Sequence, residues 1–127
     1  MRLLLDTHVV LWCMSGDRRL GKRSAALVRD PANDVYYSAA SIWEMAIKST
    51  LGKLRVDAGE LLENLAAAGF RELPVLGPHA AATAALPQHH RDPFDRLLVA
   101  QSLAECMPLL TSDRALAAYG PTVMLAG

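Results

Sequence analysis

Aromatic residues make up only 6% of this 127-residue chain, so its core must be aliphatic, built from the many Leu, Val and Ala residues. Charge of one sign is also missing, since 13 basic side chains face 13 acidic ones. Proteins that collect nucleic acid by bulk attraction are usually basic, so the balance argues against a non-specific binder of that kind, though not against a local basic rim. Cysteine numbers two, Cys13 and Cys106, with no paired or metal-type spacing. Both read as reduced core thiols of a cytosolic protein. Long apolar runs are absent too. The opening Leu3-Leu4-Leu5 stops at Asp6, too soon for the apolar region of a signal peptide. Nothing approaches the ~20 apolar residues of a membrane span, so a soluble, cytoplasmic protein is expected.

What is present is 52% hydrophobic sequence, enough for one domain over residues 1–127 and too little for two. Short apolar runs at Leu3–Leu5, Val35–Tyr37, Glu72–Val75, Leu109–Thr111 and Thr122–Leu125 read as strands, with Pro74 demoting the third toward a sheet edge. Helical patterns fill the intervals: Val9–Met14, Arg18–Arg29, Ser38–Leu51, Asp57–Ala68, Pro78–Leu86, Asp92–Ala104 and Asp113–Tyr119. In the third of these, Ile42, Met45, Ala46 and Ser49 form the expected inner face. Asp92-Pro93 opens the long helix, because Asp caps and Pro suits the first helical position. Strands alternating with helices, several of them continuous apolar runs, predict an α/β fold with a mainly parallel sheet of four to five strands covered on both faces.

In such a fold, ligands bind beyond the carboxyl ends of the strands. Asp6 ends the first strand, and Asp113 follows Thr111 at the end of a later one. Asp95 falls in the first turn of the long helix and Glu44 within the helix after the second strand, so all four can reach one rim. Each acid alone has an ordinary explanation. Asp6 and Asp113 suit helix caps, Asp95 favours a helix dipole, and Glu44 fits a capping box with Ser41 or a pair with Lys48. Together they would repel one another, and a hard divalent cation with oxygen ligands is the usual remedy. Such a site suits phosphodiester hydrolysis. No Cys/His cluster, Walker-type loop or Ser nucleophile elbow competes. His8 stands where a dehalogenase-like phosphatase wants a second Asp. A phosphoacceptor domain wants adjacent acids after the first strand and a late lysine, and both are missing.

Four blocks carry a resemblance: Leu3-Leu4-Leu5-Asp6-Thr7-His8, Ser38-Ala39-Ala40-Ser41-Ile42-Trp43-Glu44, Arg91-Asp92-Pro93-Phe94-Asp95-Arg96-Leu97-Leu98-Val99-Ala100-Gln101 and Leu110-Thr111-Ser112-Asp113. In order and content they resemble the motifs of PIN domains, in particular the VapC-type toxins of toxin–antitoxin pairs. The resemblance implies a three-layer α/β/α sandwich, Mg²⁺- or Mn²⁺-dependent endoribonuclease activity on RNA, an inhibitory antitoxin partner and a homodimer. It implies Asp6, Glu44, Asp95 and Asp113 as catalytic, with Asp6, Asp95 and Asp113 as metal ligands and Glu44 positioning or deprotonating the attacking water, or binding a second metal. The alternative is a non-catalytic RNA- or protein-binding module that keeps the fold as a scaffold.

Other residues read more plainly. Thr7 and Thr111 suit either orienting a carboxylate or capping, and Asp92 reads as a cap close enough to touch a metal's water shell. His89-His90-Arg91 read as a solvated polar loop entering the helix, with RNA contact as the alternative, and His8 as structural or substrate-side. Arg91, Arg96, Arg114, Lys48 and Lys53 are surface charge that a phosphate-holding rim would draw on. Trp12 and Trp43 read as core packing, with an antitoxin contact as the alternative for Trp12.

Overall fold

The computed structural model describes residues 1–127 and contains a five-stranded sheet in which every pair is parallel. The strands are β1 (Arg2–Leu5), β2 (Asp34–Ser38), β3 (Arg71–Leu73), β4 (Leu109–Thr111) and β5 (Val123–Leu125), in the spatial order β3-β2-β1-β4-β5. β3 is an edge, and it stops at Leu73, one residue short of Pro74, so the expected strand Glu72–Val75 is shifted and the proline lies just outside the ladder. The chain winds outward from β1 to β3, then returns to place β4 on the other side of β1. The point where the winding reverses therefore lies between β1 and β4, where open α/β sheets bind their ligands.

The helices are α1 (Thr7–Ser15), α2 (Lys22–Arg29), α3 (Ala39–Thr50), α4 (Ala58–Ala67), α5 (Gly77–Ala82) and α6 (Pro93–Glu105). Strand alternation sorts them into two layers. Leu5 and its partner Leu110 face one side with Val35 and Tyr37, and pack on Val9, Val10, Met45, Leu61 and Leu65 of α1, α3 and α4. Leu4 and its partner Leu109 face the other side and pack on Leu98, Val99 and Leu116. An aliphatic three-layer sandwich results. No helix is long and apolar enough to cross a membrane.

Three expectations need correction. The pattern over Arg18–Arg29 is not one helix, because Gly21 takes φ 80 and separates a 3₁₀ turn at Arg18–Leu20 from α2. The buried residues of α3 are Ala40, Ser41, Glu44 and Met45, with Ile42, Ala46 and Ser49 only partly covered. That face is turned by roughly one residue's rotation (~100°) from the apolar stripe, because α3 also packs against α6. Cys106 is no core thiol either. It is exposed just past α6, at φ 53, while Cys13 is half-buried.

Candidate carboxylate site

β1 ends by delivering Asp6 to the N-cap of α1, where its Oδ1 accepts a hydrogen bond from the Val9 amide at 2.9 Å. Its Oδ2 accepts from the Thr111 hydroxyl at the end of the neighbouring β4. Asp6 is only 3% exposed, and burial pushes its carboxyl above the ordinary range despite these donors. Glu44, 4% exposed, is enclosed from two sides. The Thr7 hydroxyl donates to Oε1 at 2.7 Å and the Lys48 ammonium to Oε2 at 2.6 Å. Thr7 also lies 3.0 Å from the Ser41 hydroxyl, so the threonine beside Asp6 in sequence serves Glu44 instead.

The other two acids are held more loosely. Asp92 caps α6 through bonds to the Phe94 and Asp95 amides at 2.8 and 3.3 Å, which places Asp95 in the first turn. Burial, reinforced by the negative charge of Asp92, Asp6 and Glu44, raises the Asp95 carboxyl to about 7. Asp113 caps the 3₁₀ turn Arg114–Tyr119 through Oδ1, which accepts from the Ala115 amide at 2.9 Å. Its Oδ2 lies 2.8 Å from Nε2 of His90, which in turn is 3.5 Å from Asp95 Oδ2. The Asp92 amide donates to His90 Nδ1 at 3.0 Å, so the ring proton sits on Nε2 and points at Asp113. Asp6 and Asp113 thus do cap helices, but each spends one oxygen on the cap and turns the other inward.

A family model described as "PIN domain" matches residues 3–120. The chain belongs to the PIN domain family. No curated protein sequence matches it. Among solved structures, it is similar to VapBC2 from Rickettsia felis bound to a promoter DNA fragment, at 13% identity and TM-score 0.68, covering 98% of this chain and 97% of that one. A toxin–antitoxin complex from Klebsiella pneumoniae matches at 21% identity and TM-score 0.65, over 96% of this chain and 95% of the other. FitAcB from Neisseria gonorrhoeae matches at 21% identity and TM-score 0.60, over 100% and 97%.

PIN domains are generally nucleases. In this PIN domain the ligand atoms of His90, Asp95 and Asp113 lie within 4.8 Å of one another, a spacing that could hold a metal ion. Two of its members, Asp95 and Asp113, belong to the set expected from sequence, and His90 stands beside them. Asp6 reaches the group through its charge, which helps keep Asp95 protonated. A carboxylate-rich donor set fits a hard divalent cation, and a carboxyl raised toward neutrality by burial and by surrounding negative charge is one that a cation would ionise.

His90 read from sequence as part of a solvated loop, and the structure instead turns it against Asp113. His89 is exposed, but its neighbour turns inward, and only the loop geometry before α6 distinguishes the two. Trp43 is corrected in the opposite sense: it is 62% exposed, with its ring edge-to-face against Phe94 at 5.4 Å. Two cations leave the expected basic rim. Lys48 is paired with Glu44, and Arg96 is an internal strut donating to the carbonyls of Thr83 and Pro87 and lying 3.2 Å from the Tyr119 hydroxyl. Arg91, Arg114 and Lys53 remain exposed, as does His8.

Proposed function

We propose that this PIN domain is a metal-dependent endoribonuclease, the toxin of a toxin–antitoxin pair. The observation that carries the reading is the gathering of Asp6, Glu44, Asp92 and Asp95 at the reversal point of the sheet, where burial first, and then the negative charge of the other three acids, raises Asp95 to about 7. Asp6, Asp95 and Asp113 would hold Mg²⁺ or Mn²⁺, with His90 beside them. When bound, the ion supplies charge neutralisation at the scissile phosphate and a more acidic water. Glu44 has its carboxylate fixed on both oxygens by Thr7 and Lys48, a geometry suited to orienting an attacking water. Thr111 fixes Asp6 in the same way.

The partner part of the reading draws on the far end of α1. A cavity of about 790 Å³ opens there, lined by Trp12, Cys13, Leu20, Ala25, Val28 and Phe70 among others. Trp12 is half-buried, with the Arg19 guanidinium 5.0 Å over its ring. A cleft of this size with an apolar floor and the charged side chains of Asp17, Arg18, Lys22 and Arg29 in its lining suits an amphipathic antitoxin segment, and the similar structures include a toxin–antitoxin complex. A homodimer is expected on the family resemblance, and sedimentation at micromolar concentration tests it. A second reading, a binding module whose acids only cap helices, has in its favour the caps that Asp6 and Asp113 do form.

Cleavage of total bacterial RNA by the antitoxin-free protein, with Mg²⁺ or Mn²⁺ against EDTA and Asp95→Asn alongside, separates the two. Metal-dependent cutting that the variant lacks is the expected result. Full activity in folded Asp95→Asn would sink the mechanism, and no cutting by the wild type would favour the binding module.

A further inference from the structure

We propose that His90 is a positioning residue of the metal centre. Its Nε2–H holds the Asp113 carboxylate toward the ion while its nitrogen is withheld from the ligand set, so that the site favours hard divalent cations over zinc. The proposal rests on the metal-site reading above and adds the residue that decides which ion is taken.

Every polar group of His90 is engaged. Its backbone N–H donates to the Tyr119 hydroxyl at 3.1 Å, and its carbonyl accepts from the Arg96 guanidinium at 3.4 Å. The same guanidinium donates to the carbonyls of Thr83 and Pro87, and the Tyr119 hydroxyl donates to Pro87 at 3.0 Å. The loop ahead of α6 is thereby tied both to α6 and to the far end of the 3₁₀ turn that Asp113 caps. His90 and Asp113 belong to one braced unit. His89 has no such hold; it is exposed and lies edge-to-face on the Tyr119 ring at 5.0 Å.

The imidazole is also fixed in one tautomer. The Asp92 amide donates to Nδ1 at 3.0 Å, so the Nδ1 lone pair is spent on that bond and the ring proton resides on Nε2. Nε2 lies 2.8 Å from Asp113 Oδ2 and 3.5 Å from Asp95 Oδ2. One imidazole and two carboxylates at this spacing are a donor set that a borderline cation such as Zn²⁺ would ordinarily take through nitrogen. A nitrogen that carries a proton cannot ligate. Freeing its lone pair would mean moving the proton to Nδ1, where it would meet the Asp92 N–H. Asp92 is itself held in place, because its side chain caps α6 at the Phe94 and Asp95 amides. Oxygen alone remains for an ion, which is the preference of Mg²⁺ and Mn²⁺. A hydrogen bond to a ligating carboxylate fixes its orientation, and that is the part His90 plays toward Asp113.

Two measurements test this without turnover. In calorimetric titrations with Mg²⁺, Mn²⁺ and Zn²⁺ in turn, His90→Ala should weaken all three by a similar factor of about ten, since each ion loses an oriented Asp113 and none loses a ligand. His90→Gln, which can offer an amide N–H toward Asp113, should recover part of that loss. A long-range proton–nitrogen correlation spectrum of the wild type, with His90→Ala for assignment, should show Nε2 protonated both without metal and with Zn²⁺ bound. An Nε2 bound to metal, or a loss in His90→Ala many times larger for Zn²⁺ than for Mg²⁺, would make His90 a ligand and overturn the proposal. Unchanged affinities in His90→Ala would overturn it as well, because Asp113 would then need no brace. A wild type that binds none of the three ions would instead bring down the metal-site reading, and this role with it.

Discussion

Asp6 and Glu44 form one half of the carboxylate rim, Asp95 and Asp113 the other, and the two halves are held differently. In the first half every carboxylate oxygen has a donor: Val9 and Thr111 for Asp6, Thr7 and Lys48 for Glu44. Both side chains are almost fully buried, and their geometry is set before any ligand arrives. In the second half Asp113 is 38% exposed and Asp95 23% exposed, and the only polar side chain against Asp95 is His90 at 3.5 Å. Donors fix the two carboxylates of the first half in place, whereas in the second half burial, with the negative charge of Asp92, Asp6 and Glu44 added to it, raises the Asp95 carboxyl to about 7. The rim is thus half rigid frame and half adjustable, and the adjustable half is where a cation has most repulsion to relieve.

The strongest way to break that comparison is to remove the charge at Asp95. Asp95→Asn should reduce metal-dependent RNA cleavage by about a thousand-fold or more, measured on purified protein, while circular dichroism shows an unchanged fold. An equal loss is expected from Asp6→Asn, because the rigid half is needed as well.

In the rigid half, Thr111→Val removes the hydroxyl donor and leaves Asp6 Oδ2 buried without a partner. We expect a loss of about 2 kcal/mol in urea unfolding at neutral pH, with a further rise of the Asp6 carboxyl. Metal affinity should weaken by about ten-fold in a calorimetric titration.

In the adjustable half the effect on stability has the opposite sign. Between pH ~4 and ~7 the folded chain holds a proton on Asp95 that the unfolded chain releases, because the group moves from 3.8 to about 7 on folding. Stability without metal should therefore fall as pH rises through that window. Asp95→Asn should flatten this slope and stabilise the metal-free protein above pH 7. The gain should be about 2 kcal/mol, less than the full shift converts to, because solvent reaches part of the side chain. Thermal melts in EDTA at pH 5 and pH 8 check the sign, and a destabilised variant at pH 8 would contradict it.

The smallest effect belongs to His90. His90→Ala leaves Asp113 to water, which already reaches it, so metal-free stability should change by only about 0.5 kcal/mol. A loss as large as that of Thr111→Val would erase the distinction between the halves.

Much of this was legible in the residues. Asp6, Asp92 and Asp113 each cap the helix or turn that their position promised, because capping is a local bond to amides two or three residues on. The order of strands and helices was legible from the alternation of short apolar runs with helical patterns. The inner face of α3 was not. Its apolar stripe points Glu44 outward, yet Glu44 is buried because Thr7 of α1 closes over it and α6 flanks the helix at Trp43. Periodicity describes one helix against one surface, and α3 meets several.

The sequence by itself determined the class of fold, the ends of the strands and the presence of four acids close to those ends. These depend on periodicity, local capping and the reach of a few residues. The tertiary structure alone decided that Thr7 serves Glu44 and Thr111 serves Asp6, that His90 turns in while His89 stays out, and that Trp43 stands exposed beside Phe94. Those outcomes depend on contacts between residues tens of positions apart in the chain, which form only when the strands and helices have packed.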